Sequence, residues 1–560
     1  MSKKRLFFSV LSSLTSAYLL FTAFPPVGEA INVLFAIVPL LLISRFSTKK
    51  QSFYTWFFAG LIFWIATLSW MVAISKNGGP LPLVILGWIA LSAICASYFA
   101  VFGIVDSILW KKISSFKGDG LKYATMRIAA LTLLEPILWA GFEWLRGWLF
   151  SGFAWNYLGT AISQYPQYAL SARFGGVFLV SGLVVMVNGV FATMIERILS
   201  KMFSENTSNL NSDLPQWANK VFKSLETAIP LLIVLLVVNL AEKDYVSSKG
   251  EKSIPVRAAL LQSNEPCIFT KDIKHENPYD LYERLLQTAK HARPNIIILP
   301  ESAMIRFGIM NRLHAKNFAQ FLSDQTGGSA VFSGGDFMKE VNGAKRYYNA
   351  AAIYHPHLEG IDVDIYAKRH LVPFGEYIPL DKWIPILQKL SPIGISLYPG
   401  EKETVDLFVK NNATNLAKIV VGPLICFEDT DALMAIRSAR KGAQLLILIT
   451  NDNWFSLSNE TLQHSWQSIM RCIETGLPML RAGNNGVTGS ISSDGRTNWL
   501  TDDNGNILID AQASQILAVD VEENPKQTLY VKIGNYPLAI SFALVLLFIF
   551  WNGGKRENII

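Results

Sequence analysis

Long apolar runs constrain the fold of this chain more than any other feature of its sequence. A helix needs about 20 mostly apolar residues to cross a bilayer. Between Gln51 and Trp110 only Lys76 and Asp106 carry a charge. Similar runs recur, and we predict eight membrane spans, at residues 6–24, 29–45, 53–75, 82–109, 125–149, 173–195, 226–241 and 533–551. A wholly soluble or disordered chain is thereby excluded.

Lysine and arginine are concentrated in particular connections between these predicted spans. They fall at the N-terminus, after the second, fourth and sixth spans, and in the C-terminal tail. Cytoplasmic loops are enriched in both residues, and all these segments lie on one side if seven spans precede a domain and one follows it. Because such loops face anionic lipid, they explain much of the net charge of +7, and no nucleic-acid partner is needed.

The region between the seventh and eighth predicted spans has a different composition. Charged residues make up 17% of the 560 residues, but most of them lie in this region. We predict a membrane domain with about seven spans at 1–245, an extracytoplasmic domain at 253–525 and a final span at 530–553. In the extracytoplasmic domain short apolar strands alternate with amphipathic helices, which indicates a layered α/β fold.

One cysteine stands where a nucleophile could act. Four cysteines in a chain of this length do not make a disulfide framework. Cys426 follows a predicted strand at 419–425 and precedes a helix, so helix N–H groups could favour its thiolate. An inert buried cysteine is the alternative, and position alone does not exclude it.

Three charged residues lie at comparable positions. Glu301 follows a predicted buried strand at 295–299. There its carboxylate could face a crevice at the strand ends, or it could stabilise the N-terminus of a helix through the helix dipole. Lys368 ends another predicted strand, although it could simply belong to a solvated basic cluster. Glu376 could pair with Lys368 or merely end a turn. These alternatives stay open when each residue is considered alone.

Taken together, these residues suit acyl transfer through a thioester. A carboxylate such as Glu301 can act as a base toward the thiol of Cys426. Lys368 can stabilise the thiolate and later an oxyanion, and the backbone N–H of Phe427 is a natural second donor to that oxyanion.

Other catalytic motifs are weaker or absent from the sequence. It contains no G-x-S-x-G, H-E-x-x-H or C-x-x-C motif and no phosphate-binding loop. His355 and His357 lie near two aspartates and could bind a metal, but a solvated hairpin is the preferred interpretation. We therefore predict no metal and no cofactor.

Several short motifs carry a family resemblance. The segments LPES, YAK and LICFE, at 299–302, 366–368 and 424–428, resemble in order and spacing the Glu–Lys–Cys elements of the nitrilase (carbon–nitrogen hydrolase) superfamily. Longer segments at 368–377, 451–455 and 143–150 are similar to the bacterial apolipoprotein N-acyltransferase family. The resemblance covers nearly the whole chain, and it implies about eight spans and an outward nitrilase-like α-β-β-α sandwich.

The resemblance also implies a reaction. Glu301 would deprotonate Cys426, and the thiolate would take an acyl chain from a phospholipid, typically phosphatidylethanolamine. Lys368 would stabilise the charged intermediates. The acyl chain would then pass from the thioester to the N-terminal amino group of an S-diacylglyceryl-cysteine lipoprotein, in the last step of lipoprotein maturation.

Supporting roles follow from the same resemblance. Glu376 would orient Lys368, and Glu428 would support the site. Trp454 and Phe455 would lie on a mobile lid where acyl chains enter. A tyrosine is frequent at the position of Phe427, so a hydroxyl role would be lost here. The protein would be a monomeric enzyme of the bacterial inner membrane, with its catalytic domain in the periplasm and with no cofactor.

Two other functions use the same features. A membrane-tethered amidase or nitrilase would need the same three catalytic residues, but it would not need an eight-span scaffold. A transporter with an outer binding domain would depend on Glu143 and Arg146, which share a helix face near the end of the fifth predicted span. The same two residues could equally serve to lock helices together.

Overall fold

The chain forms two compact units. The computed structural model describes residues 3–203, 214–250, 252–266, 276–304, 312–379, 383, 396–410, 416–455 and 458–551. The first unit contains Met1–Ser69, Leu86–Glu242 and Ile533–Ile560, and the second contains Trp70–Ile85 and Lys243–Lys532. Cys267 lies outside the described residues, and the three other cysteines are free thiols.

Apolar helices build the first unit. Its helices, numbered in chain order, are α1 (Lys3–Ala23), α2 (Val38–Phe46), α3 (Lys49–Thr67), α4 (Leu81–Ser114), α5 (Gly120–Ala129), α6 (Glu135–Trp148), α7 (Leu158–Ala161), α8 (Pro166–Ala169), α9 (Ala172–Phe203), α10 (Gln216–Ser248) and α16 (Tyr536–Phe550). Among the described residues, six apolar helical segments are long enough to cross a membrane: Lys3–Ala23, Lys49–Asn77, Leu81–Ser114, Gly120–Trp148, Ala172–Ser200 and Gln216–Ser248. Ala30–Phe46 and Tyr536–Phe550 are shorter apolar helices, so every predicted span corresponds to an apolar helix.

The second and seventh predicted spans show how the helix boundaries differ from the predicted ones. The second span is interrupted, because the 3-10 turn Ala30–Leu34 precedes α2, which has only nine residues. Pro39 lies in the first turn of α2, where its missing N–H is tolerated. The seventh span is longer than predicted, since α10 has 33 residues. The residues that flank its apolar centre include good helix formers, so the helix continues beyond 226–241 at both ends.

Charged side chains are buried among these helices. Arg127 Nη2 lies 3.0 Å from Glu196 Oε2, and the same guanidinium pairs with Glu226. Arg197 Nη2 lies 2.5 Å from the other oxygen of Glu226. Buried charges require partners, and these ion pairs supply them. The pairs also link α5, α9 and α10.

Glu143 and Arg146 of α6 bind the main chain that follows their helix. The Leu158 N–H donates to Glu143 Oε1 at 2.8 Å. Arg146 Nη1 donates to the carbonyl oxygens of Phe153 and Trp155, each at 2.8 Å. These contacts hold the main chain that follows α6.

Two mixed sheets form the core of the second unit. Their strand orders are β12-β1-β2-β3-β4-β5 and β11-β10-β9-β8-β7-β6. The strands are β1 (Ser253–Gln262), β2 (Ile296–Ile298), β3 (Ala330–Val341), β4 (Ala344–Tyr354), β5 (Asp364–Ala367), β6 (Val405–Lys410), β7 (Leu416–Ile425), β8 (Leu445–Thr450), β9 (Met479–Gly483), β10 (Gly489–Ile491), β11 (Thr497–Trp499) and β12 (Ala513–Glu522).

Helices cover the outer faces of these sheets. They are α11 (Pro278–Leu285), α12 (Arg312–Gln325), α13 (Ala432–Arg440) and α14 (Glu460–Thr475), and the short α15 (Leu529–Ile533) follows. An apolar cluster that includes Ile298 and Ile449 joins the two sheets, and a second one that includes Leu281 and Phe318 joins the first sheet to α11 and α12. Because α13 packs on β7, the α-β-β-α sandwich that the resemblance implied is confirmed.

Some local predictions in this unit were wrong. The helix expected at 279–291 ends at Leu285. The strand expected at 507–509 forms only an isolated bridge between Thr501 and Ile507. Strand β6 was not predicted; it pairs antiparallel with β7 at the edge of the second sheet, where partners distant in sequence decide strand formation.

Candidate active site

Polar side chains gather where strands of the two sheets end. Glu301, Lys368 and Cys426 follow β2, β5 and β7, and β2 and β7 each run parallel to a neighbouring strand. The carboxyl ends of such strands form a crevice. Lys368 Nζ lies 3.8 Å from Glu301 Oε1, and both charges act on the thiol of Cys426. The structure therefore brings the three predicted residues together.

Cys426 stands at a sharp change of chain direction. Its φ of 50° lies in the left-handed region, which costs a residue with a side chain about 1–3 kcal/mol. It directly follows β7 and opens the 3-10 turn Cys426–Thr430. Because the strand stops there, its partly buried side chain stands at the edge of the sheet.

Lys368 is buried beside two carboxylates. Its side chain is 1% exposed, and its Nζ donates to Glu376 Oε1 at 2.9 Å. Asn349 Nδ2 donates to Glu301 Oε1 at 2.7 Å and to Glu376 Oε1 at 2.6 Å. Glu376 thus contacts Lys368 rather than merely ending a turn. Asn349 was missed because a single asparagine in a strand gives no sequence signal.

Burial and charge set the protonation of this cluster. Burial raises the pKa of Glu301, although Lys368 acts in the opposite direction. Burial, and next the charge of Glu301, raises the pKa of Cys426 well above that of an ordinary thiol. Burial disfavours the charge of Lys368, but Glu376 and Glu301 outweigh it and raise the pKa of the lysine. Cys426 is therefore a thiol at neutral pH, and it needs a base to ionise.

Close main-chain packing holds Glu301. The Asn451 N–H, directly after β8, donates to Glu301 Oε2 at 2.9 Å. A Cβ atom at Gly334 would lie only 2.1 Å from the Glu301 carbonyl oxygen, so β3 can approach this closely only with glycine there. Both carboxylate oxygens of Glu301 thus have fixed donors.

Glu428 connects two parts of the site. Its fully buried carboxylate accepts four hydrogen bonds, from Tyr366 Oη at 2.7 Å, Arg369 N at 2.7 Å, His370 N at 3.2 Å and Ile425 N at 2.8 Å. The first three donors belong to the segment that carries Lys368, and the fourth immediately precedes Cys426. Glu428 therefore fixes the lysine segment relative to the cysteine.

The predicted aromatic residues lie beside the cluster in the chain. The ring of Phe427 stacks on His370, with ring centroids 5.4 Å apart and planes at 19°. Trp454 and Phe455 belong to the 3-10 turn Asp452–Phe455, which begins directly after Asn451. Both residues are half-buried. Residues 456–457, the next part of the expected lid, lie outside the described residues.

A buried ionic network lies next to Cys426. His464 Nε2 lies 2.8 Å from Asp429 Oδ1 and 3.3 Å from the Cys426 carbonyl oxygen. His464 Nδ1 lies 3.1 Å from Asp452 Oδ1, and Arg481 Nη2 lies 3.3 Å from Asp452 Oδ2. Burial lowers the pKa of His464, but Asp429 and Asp452 outweigh it and raise the pKa to about 10. This network was not predicted from the sequence, because a single histidine in an amphipathic helix does not indicate its partners.

Part of this network has the spacing of a metal site. Ligand atoms of Asp452, Glu460 and His464 lie within 4.8 Å of one another. His464 Nε2 is already engaged by Asp429, and Arg481 already faces Asp452. The group therefore fits an ionic network better than a metal centre.

We expect the His464 network to make stability depend on pH. The folded state keeps a proton that an unfolded histidine releases near pH 6.5, so this contribution is complete below pH 6.5 and lost as the pH rises toward 10. The melting temperature in detergent should therefore fall over this range, and less so in His464→Gln. His357→Gln, at an exposed histidine, is the matched control. Equal pH slopes in His464→Gln and wild type would contradict the assignment.

The fold and the cluster define a class of protein. An α-β-β-α sandwich with Glu, Lys and Cys at its strand ends, in a chain with membrane-length apolar helices, is a nitrilase-type domain on a membrane scaffold. Residues 257–525 match the carbon–nitrogen hydrolase family, and residues 16–190 match the apolipoprotein N-acyltransferase N-terminal domain. The chain belongs to the apolipoprotein N-acyltransferase family, which confirms the resemblance carried by the sequence motifs.

Similar proteins extend over nearly the whole chain. It is 29% identical over 500 residues to the apolipoprotein N-acyltransferase of Geobacter metallireducens, covering 88% of this chain and 86% of that protein. It is 26% identical over 529 residues to that of Shewanella oneidensis, covering 91% and 89%. Among solved structures, an amidase from Nesterenkonia sp. AN1 is 17% identical with a TM-score of 0.33, covering 51% of this chain and 99% of the amidase.

Proposed function

We propose that this protein transfers an acyl chain from a phospholipid to the N-terminal amino group of S-diacylglyceryl-cysteine lipoproteins. The observation that carries the proposal is the convergence of Glu301, Lys368 and Cys426 in a chain that belongs to the apolipoprotein N-acyltransferase family. A partly buried thiol with a carboxylate and an ammonium group beside it suits covalent acyl transfer.

The first half-reaction forms a thioester. Glu301 accepts the proton of the Cys426 thiol, and the sulfur attacks the carbonyl carbon of a phospholipid ester. Lys368 and the Phe427 N–H stabilise the oxyanion. When the C–O bond breaks, Glu301 returns its proton to the leaving alkoxide, and a lysophospholipid departs. The raised pKa of Glu301 suits it to both proton transfers.

The second half-reaction forms an amide. The amino group of the diacylglyceryl-cysteine attacks the thioester carbonyl, and Glu301 accepts a proton from the nitrogen. The C–S bond then breaks, and the proton passes to the Cys426 sulfur. The acyl group travels on the cysteine throughout, so the reaction needs no cofactor.

Neighbouring residues position these groups. Glu376 and Asn349 hold Lys368 and Glu301 at a fixed separation, and Glu428 fixes the lysine segment. We assign Trp454 and Phe455 to the side where acyl chains enter, because their half-exposed rings follow Asn451, a direct partner of Glu301.

The donor, location and assembly follow from the same proposal. A phospholipid donor and a lipid-anchored acceptor are confined to one bilayer, which raises their effective concentration at the site. Phosphatidylethanolamine is the proposed donor. We propose that the catalytic domain lies on the periplasmic side of the inner membrane, and the lysine and arginine distribution supports this orientation. The proposed groups all come from one chain, so we propose a monomer.

Intact mass spectrometry tests the proposal. The full-length protein, incubated with phosphatidylethanolamine vesicles, should gain the mass of one acyl group. Hydroxylamine should remove this mass, and a diacylglyceryl lipopeptide should remove it while becoming acylated. Release of ammonia from small amides, with no acyl group gained from phospholipid, would instead indicate a membrane-tethered amidase.

A further inference from the structure

The connection between two membrane helices belongs to the catalytic unit. The 3-10 turn Ser69–Asn77, which we call the membrane turn, follows α3 and precedes α4 in the chain. Both neighbours lie in apolar segments long enough to cross a membrane. Trp70–Ile85 nevertheless forms one compact unit with Lys243–Lys532. The membrane turn is therefore packed with the domain that carries Cys426.

One asparagine of the membrane turn binds the main chain beside the site. Asn77 Nδ2 donates to the carbonyl oxygens of Asn453 and Trp454, each at 2.9 Å. A single amide group thus holds two consecutive carbonyls of the 3-10 turn Asp452–Phe455. This turn begins one residue after Asn451, whose N–H donates to Glu301 at 2.9 Å.

A tryptophan of the membrane turn binds the next part of the same segment. The Trp70 and Phe455 rings pack edge to face, with centroids 4.7 Å apart and planes at 76°. Trp70 Nε1 donates to Gln463 Oε1 at 3.3 Å. Gln463 directly precedes His464 in α14, so the membrane turn contacts both the 3-10 turn Asp452–Phe455 and the helix that comes next in the chain.

We propose that the membrane turn is a positioning and specificity element for the acyl chain. Asn77 holds the main chain at Asn453 and Trp454, and Trp70 packs on the Phe455 ring. A long apolar chain would pack against the side chains that this segment carries. The observed contacts of Asn77 and Trp70 are made to the 3-10 turn Asp452–Phe455 and to Gln463, so we assign them to chain binding rather than to bond exchange. This inference rests on the proposed function, because it assigns the ligand of that same site.

The membrane turn should therefore affect long-chain donors selectively. Without the Asn77 amide, the Asn453 and Trp454 carbonyls lose two hydrogen bonds, and the rings beside them are no longer held in one arrangement. A long acyl chain uses those rings, whereas a short ester engages only the reacting groups. A variant that merely weakened the fold would slow both donors alike.

Single-turnover acylation of Cys426 tests this inference. The variants are Asn77→Ala and Ser75→Ala, the latter a matched control because Ser75 Oγ bonds within the turn, to the Val72 carbonyl at 2.8 Å. The donors are dipalmitoyl phosphatidylethanolamine in vesicles and p-nitrophenyl butyrate. For Asn77→Ala we expect kcat/KM to fall about tenfold with the phospholipid and to stay unchanged with the butyrate. Ser75→Ala should match wild type with both donors.

Two results would overturn the inference. One is an Asn77→Ala protein that matches Ser75→Ala with the phospholipid, and the other is an equal loss with both donors. If Asn77→Ala does not insert, Trp70→Leu takes its place and should show the same chain-length selectivity. Failure of the proposed function is a separate result, since wild type would then gain no acyl group from phospholipid at all.

Discussion

Replacing Cys426 with alanine is expected to abolish both the thioester and the transfer of the acyl chain. In the proposed mechanism Cys426 alone carries the acyl chain, so the loss should be on the order of 10⁴-fold or more. Alanine is as compatible as cysteine with the left-handed backbone at this position, so the protein should still fold. Intact mass spectrometry and lipopeptide acylation measure the two half-reactions.

The controls for this prediction are the other buried thiols. Cys472→Ala removes a buried cysteine of α14, and Cys95→Ala removes one of α4. Both variants should keep the acyl-enzyme signal of wild type. Cys426→Ser should be inactive as well, because a hydroxyl is a much weaker acid than a thiol and Glu301 would not deprotonate it. Normal lipopeptide acylation by Cys426→Ala would refute the mechanism.

Replacing Glu301 with glutamine should cause the next largest loss. A positioned general base contributes about 10²–10⁴-fold, and glutamine keeps the size of the side chain while losing its basicity. The Cys426 thiol has a raised pKa, so without a base only a small fraction of it ionises at neutral pH. We expect thioester formation to slow by about this factor.

The pH profile separates a lost base from a damaged site. In wild type, the rate should rise with pH as Glu301, whose pKa is raised, loses its proton. In Glu301→Gln that step should vanish, and the residual rate should climb at alkaline pH with ionisation of the thiol. Removing the Glu301 charge also removes one cause of the raised Cys426 pKa. Glu401→Gln, at an exposed position, is the control. An unchanged pH profile in Glu301→Gln would exclude Glu301 as the base.

The local pattern of the chain predicted much of the architecture. Apolar runs revealed all the apolar helices, because burial in a bilayer demands length and composition that are local properties. Short strands such as NIIIL and IVVGPLI were also recognisable, because a strand that is buried inside a domain is a short apolar run. The edge strand β6 was not predicted, since its pairing with β7 forms only in the folded chain. The interruption before α2 was also missed, although Pro39 restricts the residue before it and stands in the sequence.

The residues of the candidate site also fall into those that the sequence predicted and those that it did not. Glu301, Lys368 and Cys426 could be named because each ends a recognisable strand and each lies in a motif of known spacing. Asn349 and His464 could not, because each has a partner that is remote in the chain: Glu376 lies 27 positions from Asn349, and Asp429 lies 35 positions from His464. No local pattern marks such a partner.

The sequence by itself determined the division into apolar helices and an α/β domain, the family, and the three residues proposed for chemistry. These depend on local hydrophobicity and on short motifs. Only the tertiary structure decided what surrounds those residues: the carboxylates that hold Lys368, the charged His464 beside Cys426, and the membrane turn that binds Asn453 and Trp454. The reason is physical. Hydrogen bonds and ion pairs depend on distances between side chains, and folding sets those distances between residues that are remote along the chain.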